Sequence, residues 1–200
     1  MRVHRLTLAA LSLVLITSPL LRAQTPAAAP APADAPAPAE VYAATLQIKG
    51  PATASTTVKI DLPKYSSARD REPVESGFKY GGYPGFLTAL RKARKVGTVS
   101  TSDKSWDIRW ASAKPTPSGG RKIVLITDRP MFFLGGGAVG ESKSRAGYEI
   151  GIIQMEVDAA GKGTGTFAAA AKVKPGEDGV IVDDYGDQRI EITKVVREKP

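Results

Sequence analysis

Two residues of this chain have the spacing of a catalytic pair. Ser76 and Lys79 match the Ser-x-x-Lys motif of penicillin-binding enzymes, in which the lysine helps to activate the serine. The partner motifs of that chemistry are missing, because Ser102-Asp103 is followed by Lys104 instead of asparagine and the chain has no Lys-Thr-Gly. We therefore interpret the match as coincidental.

A glycine-rich stretch at 135–144 is similar to a phosphate-binding loop. In such a loop, lysine and serine or threonine directly follow the last glycine, so that they reach phosphate and magnesium. Here two residues separate that glycine from Lys143, and we predict a flexible loop instead. With Phe132, Phe133 and Arg145 beside it, such a loop could cover an apolar pocket and present cations at its mouth.

Without its N-terminal segment, the chain has neither histidine nor cysteine for catalysis or metal binding. The only histidine, His4, lies in an N-terminal segment that reads as a secretory signal, and the chain has no cysteine. Disulfides, zinc and most redox metals are therefore excluded. Calcium needs only oxygen ligands, but the spacing of the acidic residues near the C-terminus does not follow the EF-hand pattern, and we predict no metal and no cofactor. Paired carboxylates can hydrolyse glycosides without histidine, and Glu149, Glu156 and Asp158 are the candidates, although the exposed face of an antiparallel hairpin is typically charged.

The N-terminus has the three parts of a signal peptide. Arg2 and Arg5 form a positive region, an apolar run covers 6–16, and the small residue Ala23 lies at the expected cleavage point. The apolar run is about half of the length that spans a bilayer. We predict a signal peptide at 1–23 and a periplasmic or secreted protein that is not transmembrane.

The rest of the chain divides by composition into a linker and one domain. Residues 24–40 are rich in proline and alanine, which offer neither continuous helical hydrogen bonding nor a core. Residues 41–200 have the usual size of a single domain. Three arginines leave with the leader, so the formal net charge of +8 falls by three, and the remaining surplus favours weak attraction to anionic surfaces or polymers.

Apolar residues alternate along most of this domain, which is the pattern of half-buried strands. The segment 122–127 is instead apolar at consecutive positions, which favours a strand covered on both faces. A polar, glycine-bearing stretch at 158–163 is typical of a hairpin loop. The predicted strands lie at 42–48, 56–62, 106–110, 122–127, 148–157, 164–173, 179–183 and 189–196.

The alternation stops between Lys64 and Gly97, where we predict helices. Apolar residues recur at helical spacing from Phe86 to Ala93, Pro84 suits a first turn, and Gly97 follows where the helix should stop. A weaker helix is predicted at 67–78, with Ser66 or Ser67 as its cap, although Pro73 lies inside it.

Two groups of residues are candidates for binding. The helical segment carries Arg91, Lys92, Arg94 and Lys95, which form either an anionic-surface patch or a solvated helix face. Trp106 and Trp110, at strand spacing, could floor a ligand pocket with Tyr148 and Phe167, or they could belong to the core. Phe132, Phe133, Lys143 and Arg145 complete the predicted ligand-binding set.

Several stretches, in order, resemble a family of secreted bacterial proteins that is itself uncharacterised. The resemblance covers roughly 41–196, and Thr127-Asp128-Arg129-Pro130 and the DAAGKG loop at 158–163 carry most of it. It implies a helical insertion in a mainly β domain. It implies no activity, ligand or catalytic residue.

Together these observations predict a mainly β domain, an antiparallel β-barrel or sandwich of about eight or nine strands. A helical insertion at about 66–96 separates the second and third strands. We expect a non-enzymatic binding or interaction module of the cell envelope that takes a small apolar or anionic ligand or an anionic envelope polymer, and no nucleic acid. A small hydrolase that uses a carboxylate pair or Ser/Lys, and a purely structural envelope protein, are the alternatives.

Export gives the first testable prediction. Cleavage after Ala23 should release a protein whose intact mass corresponds to a chain that begins at Gln24. A membrane fraction that retains Met1 would contradict this assignment.

Overall fold

The computed structural model describes residues 39–48, 54–131, 147–176, 179–185 and 190–198. The predicted signal peptide, nearly all of the predicted linker, and the glycine-rich stretch with Phe132, Phe133, Lys143 and Arg145 lie outside these ranges. Glu40, which composition assigns to the linker, is instead the first residue of a strand.

The described residues form nine strands and one helix, which lies between the second and third strands as predicted. In chain order they are β1 (Glu40–Ile48), β2 (Ala54–Leu62), α1 (Ala68–Lys92), β3 (Gly97–Ser100), β4 (Ser105–Pro115), β5 (Arg121–Thr127), β6 (Ile150–Val157), β7 (Lys162–Gly176), β8 (Gly179–Asp184) and β9 (Ile190–Glu198).

Eight of the strands close into an antiparallel barrel, so the alternative of a sandwich is wrong. From β1 to β7 each strand pairs with the next, β9 pairs with β7, and β9 pairs with β1 to complete the circle. The ninth strand, β8, stays outside this circle and pairs with the last part of β7, at residues 171–176.

The alternating apolar residues fill the interior of the barrel. Tyr42, Ala44 and Leu46 of β1 and Ile60 and Leu62 of β2 are all fully buried. An eight-stranded barrel is just wide enough for side chains to fill, and residues from every barrel strand join a single apolar cluster inside it. The barrel therefore encloses a packed core.

Strand β5 is covered on both faces, as its sequence predicts. Ile123 and Leu125 belong to the cluster inside the barrel, whereas Val124 and Ile126 belong to a second cluster on the outer wall. The second cluster includes apolar residues of α1. The helical insertion therefore packs against the outside of the barrel.

The two predicted helices form one kinked helix. Ser67 caps it, and its side chain accepts a hydrogen bond from the backbone of Asp70 in a capping box. Gly82 has φ 58° and ψ −150°, a conformation open essentially only to glycine, and the helix bends there. It ends at Lys92. The prediction that Gly97 stops the helix is wrong, because Gly97 is the first residue of β3.

The bend brings the two halves of α1 into contact. Gly77 and Gly85 would be about 12 Å apart along a straight helix, yet a Cβ added at Gly77 would lie 2.7 Å from the carbonyl oxygen of Gly85. A Cβ added at Gly85 would overlap the carbonyl oxygen of Gly77. Helix α1 is therefore a helical hairpin, and its halves meet at two glycines.

The alanines of β7 allow this hairpin to lie close to the barrel. Ala168 and Ala171 belong to the outer cluster with α1, whereas Ala169 belongs to the interior cluster. The sequence left open whether these small residues make room for the helix or for a cavity. The helix packs against two of them. In the described part of the chain, no helix is both long and apolar enough to cross a membrane.

The glycine contact predicts a difference between two neighbouring substitutions. Gly85→Ala should lower the free energy of unfolding by about 1–3 kcal/mol, because the new methyl group overlaps backbone. Gly81→Ala is the control, since no heavy atom lies within 4 Å of a Cβ added there, and it should leave stability unchanged or raise it by up to about 1 kcal/mol. Chemical denaturation measures both, and equal stabilities would contradict the close approach.

Candidate functional site

A groove lies between the two halves of the helical hairpin, at the end where they diverge. Its volume is about 770 Å³. The first half of α1 and its cap form one wall, and the second half with the residues that follow it forms the other. The groove is lined by Ser67, Arg69, Asp70, Pro73, Val74, Pro84, Gly85, Thr88, Ala89, Lys92, Ala93 and Arg94.

Three exposed cations lie along this groove. Arg69 lies in the first turn of α1, Lys92 is its last residue, and Arg94 follows the C-cap. None of the three forms an ion pair with another residue of the described ranges. Apart from the attraction between Arg94 and Asp70, which are too distant to form an ion pair, their charges remain available to a ligand.

Among the described residues that line the groove, Asp70 alone has a carboxylate, and this carboxylate already has a structural role. One oxygen of Asp70 accepts hydrogen bonds from Ser67 Oγ, at 2.7 Å, and from the Ser67 backbone N–H, at 3.3 Å. These hydrogen bonds, helped by the charges of Lys64 and Arg94, hold the pKa of Asp70 below its usual range. Asp70 stays ionised and occupies the N-terminus of the helix, so the remaining positive potential of the groove comes from its side-chain cations.

The predicted basic patch is divided by the fold. Arg91 forms an ion pair with Glu149 at 3.7 Å, and Lys95 forms one with Asp107 at 2.7 Å. Both pairs join the helical segment to the barrel. Only Lys92 and Arg94 of the four predicted residues lie in the groove. Sequence periodicity does not identify Arg69 as their partner, because the bend at Gly82 brings it to the same groove.

Arg109 fixes the end of the hairpin to the barrel. Its Nη1 donates a hydrogen bond to the carbonyl oxygen of Ala93 at 3.2 Å, and its Nε lies 3.0 Å from the Asp128 carboxylate. Asp107 lies 3.4 Å from the same guanidinium. Because Ala93 lies between Lys92 and Arg94, Arg109 positions the backbone of both groove cations.

Trp106 and Trp110 lie on opposite sides of the barrel wall. Ile108 pairs with Thr127 and Trp110 pairs with Ile126, so β4 has one extra residue between them. Such a bulge reverses the alternation. Trp106 consequently packs in the interior, and Trp110 packs with the cluster under the helix.

The other two aromatic residues of the predicted pocket are also separated. Phe167 is buried in the interior cluster. Tyr148 lies outside, where its hydroxyl donates to Asp183 at 3.2 Å and Lys172 Nζ lies 4.3 Å from its ring centre. The four aromatic residues therefore do not line a common pocket.

The candidate catalytic carboxylates lie at the two ends of β6. Glu149 precedes β6 and pairs with Arg91, whereas Asp158 follows β6 and accepts a hydrogen bond from the Lys162 N–H at 2.9 Å. The whole of β6, about 26 Å at 3.3 Å per residue, lies between them. Glu156 is exposed at the same end as Asp158, two residues before it, so the fold separates only Glu149 from the other two.

Ser76 and Lys79 both lie in α1, where no hydrogen bond joins their side chains in the described structure. The Lys79 Nζ lies 5.2 Å from the centre of the Tyr80 ring. Among the described residues, no group of three or more histidine, cysteine, aspartate or glutamate side chains could hold a metal ion.

Sequence reasoning missed a buried polar network at one end of the barrel. The Glu40 carboxylate accepts hydrogen bonds from Tyr65 and Arg121, each at 2.6 Å, and from Tyr42 at 3.1 Å. Arg197 lies 3.3 Å from the same carboxylate. Tyr42, Arg121 and Arg197 belong to β1, β5 and β9, and Tyr65 lies three residues after β2. The network therefore connects four parts of the barrel at that end.

Electrostatics keep Glu40 ionised although it is buried. Burial by itself raises the pKa of this carboxyl, but the hydrogen bonds from Arg121, Tyr65 and Tyr42 and the Arg121 charge outweigh it, and the pKa lies below its usual value. Burial and the hydrogen bond to Glu40 raise the pKa of Tyr65, so its hydroxyl remains a donor. Arg121 also donates a hydrogen bond to the Tyr42 hydroxyl at 3.1 Å, so the partners of Glu40 are linked to one another as well.

Comparisons with known proteins add no further constraint: the chain matches no protein-family model, no curated protein and no solved structure.

The Glu40 network predicts a pH dependence of stability. A carboxyl with a lowered pKa in the folded state stabilises the protein above its unfolded pKa, and this contribution is lost as the pH falls through the folded pKa. Glu40→Gln should lower the free energy of unfolding at pH 7 by about 2–3 kcal/mol, because two arginines lose their counter-charge.

The same variant should respond less to acid than the wild-type protein when unfolding is measured by denaturant titration between about pH 6 and pH 3. Glu156→Gln, at an exposed position of β6, is the control and should change stability by no more than about 0.5 kcal/mol. An unchanged acid response in Glu40→Gln would contradict the role assigned to this carboxylate.

Proposed function

We propose that this protein is an extracytoplasmic binding module of the cell envelope, and that it binds an anionic ligand in the groove of the helical hairpin. The observation that carries the proposal is the set of three cations, Arg69, Lys92 and Arg94, that line one groove without ion pairs among the described residues. Neighbouring cations of the same segment are neutralised by barrel carboxylates.

A binding function agrees with the chemistry that the chain offers. Ser76 and Lys79 share α1 without a hydrogen bond between their side chains in the described structure. Asp158 accepts a hydrogen bond in its own turn, and Glu149 is paired with Arg91. A groove whose cations form no ion pairs among the described residues can bind an anion without catalysing a reaction. The secretory signal predicted at 1–23 supports the location.

The groove cations are tested by charge reversal. We expect Arg69→Glu combined with Arg94→Glu to abolish binding of the natural ligand, because the groove then repels an anion. The control combines Lys59→Glu and Lys194→Glu, which make the same change of charge at exposed positions of β2 and β9 that do not line the groove. Melting temperatures should confirm that both variants remain folded.

Native mass spectrometry of each protein, purified from its own envelope, gives the readout. Wild type and control should carry an additional mass that the groove variant lacks. An additional mass retained by the groove variant would place the ligand elsewhere, and its absence from all three proteins would contradict the proposed function.

A further inference from the structure

The groove combines its cations with an apolar, non-aromatic floor. Pro73, Pro84, Ala89 and Ala93 contribute accessible aliphatic surface to its lining. Val74 is fully buried and joins the cluster under the helix, with Phe86 and Leu90. The floor is therefore continuous with the packed apolar layer between the hairpin and the barrel.

Composition distinguishes the classes of anion that this groove could bind. Sugar rings and nucleobases are commonly held by stacking on aromatic side chains, and none of the described residues that line the groove is aromatic. A polyanion gains affinity from a continuous row of cations, whereas Arg91 and Lys95, which would extend the row, are paired with Glu149 and Asp107. The three remaining cations match one compact anionic group, and the aliphatic lining matches one aliphatic segment.

We propose that the ligand is an aliphatic amphiphile with a single phosphate or carboxylate headgroup, bound as a monomer, with its headgroup at Arg69, Lys92 and Arg94 and its chain on the accessible aliphatic surface of Pro73, Ala89 and Ala93. This inference rests on the proposed function, since it uses the same groove. It adds that affinity depends on the length of the chain as well as on charge.

A series of alkyl phosphates tests the dependence on chain length. Isothermal titration calorimetry compares inorganic phosphate with butyl, hexyl and octyl phosphate, each below the concentration at which it forms micelles. Full burial of a methylene gains about fourfold in affinity. Since the groove is open on one side, we expect about twofold for each methylene. The Arg69→Glu, Arg94→Glu variant should lose binding of the whole series.

Two substitutions at Pro73 isolate the apolar floor. Pro73→Leu and Pro73→Gln both restore a backbone N–H in the helix and remove the same ring, so their effects on folding should match. Pro73→Leu should bind octyl phosphate at least as tightly as wild type, whereas Pro73→Gln should bind it several-fold more weakly. Both should bind inorganic phosphate equally.

The outcomes separate the two proposals. Binding that is sensitive to charge reversal but equal for inorganic phosphate and octyl phosphate would overturn the amphiphile and leave the anion groove intact. Binding that ignores charge reversal would overturn both. In a second arm, vesicles of phosphatidylcholine and phosphatidylglycerol are sedimented with the protein. Groove-dependent binding to vesicles, with none to alkyl phosphate monomers, would replace the monomeric ligand by a membrane surface.

Discussion

Closure of the sheet is the constraint on which the rest of the structure depends. Pairing of β9 with β1 gives each of the eight barrel strands two neighbours, and the alternation of side chains then directs one set of residues into an interior that they fill. The buried Glu40 carboxylate stabilises this closure at one end, where Arg121 and Arg197 approach it from β5 and β9. A filled interior moves any binding surface to the outside of the wall.

The helical hairpin on the outside of the barrel depends on small residues. Gly82 permits the bend of α1, Gly77 and Gly85 permit the contact between its halves, and Ala168 and Ala171 of β7 permit the approach of the hairpin to the barrel. Where the halves diverge, they leave the groove. The cations of that groove come from both ends of the helix, and Arg109 fixes one of those ends through the Ala93 carbonyl oxygen.

Much of the fold follows from local patterns in the sequence. Alternation identifies β1, β2 and β4, the consecutive apolar residues of β5 predict its two covered faces, and Ser67 is recognisable as a helix cap. A four-residue strand such as β3 gives too short a pattern to detect, and the glycine that begins it imitates a helix stop. Barrel closure depends on pairing between distant strands, which periodicity does not specify.

The site could be predicted only in part. Lys92 and Arg94 belong to a basic run that is visible in the sequence, but Arg69 reaches the same groove only through the bend. Arg91 and Lys95 of the same run form ion pairs with Glu149 and Asp107, which come from other parts of the chain. The extra residue in β4 separates Trp106 from Trp110, and nothing in their spacing reveals it. Glu40 lies beside a proline-alanine segment, and its partner Arg121 is 81 residues away in the sequence.

The central claim is that ligands bind on the hairpin and that the barrel interior is closed to them. An NMR titration of isotope-labelled protein with octyl phosphate tests it most directly. The account predicts that shifts of backbone amide signals concentrate at Arg69, Thr88 and Arg94, while those of the interior residues Leu46 and Ile192 stay unchanged. Large shifts at the interior residues, with none along the hairpin, would contradict it.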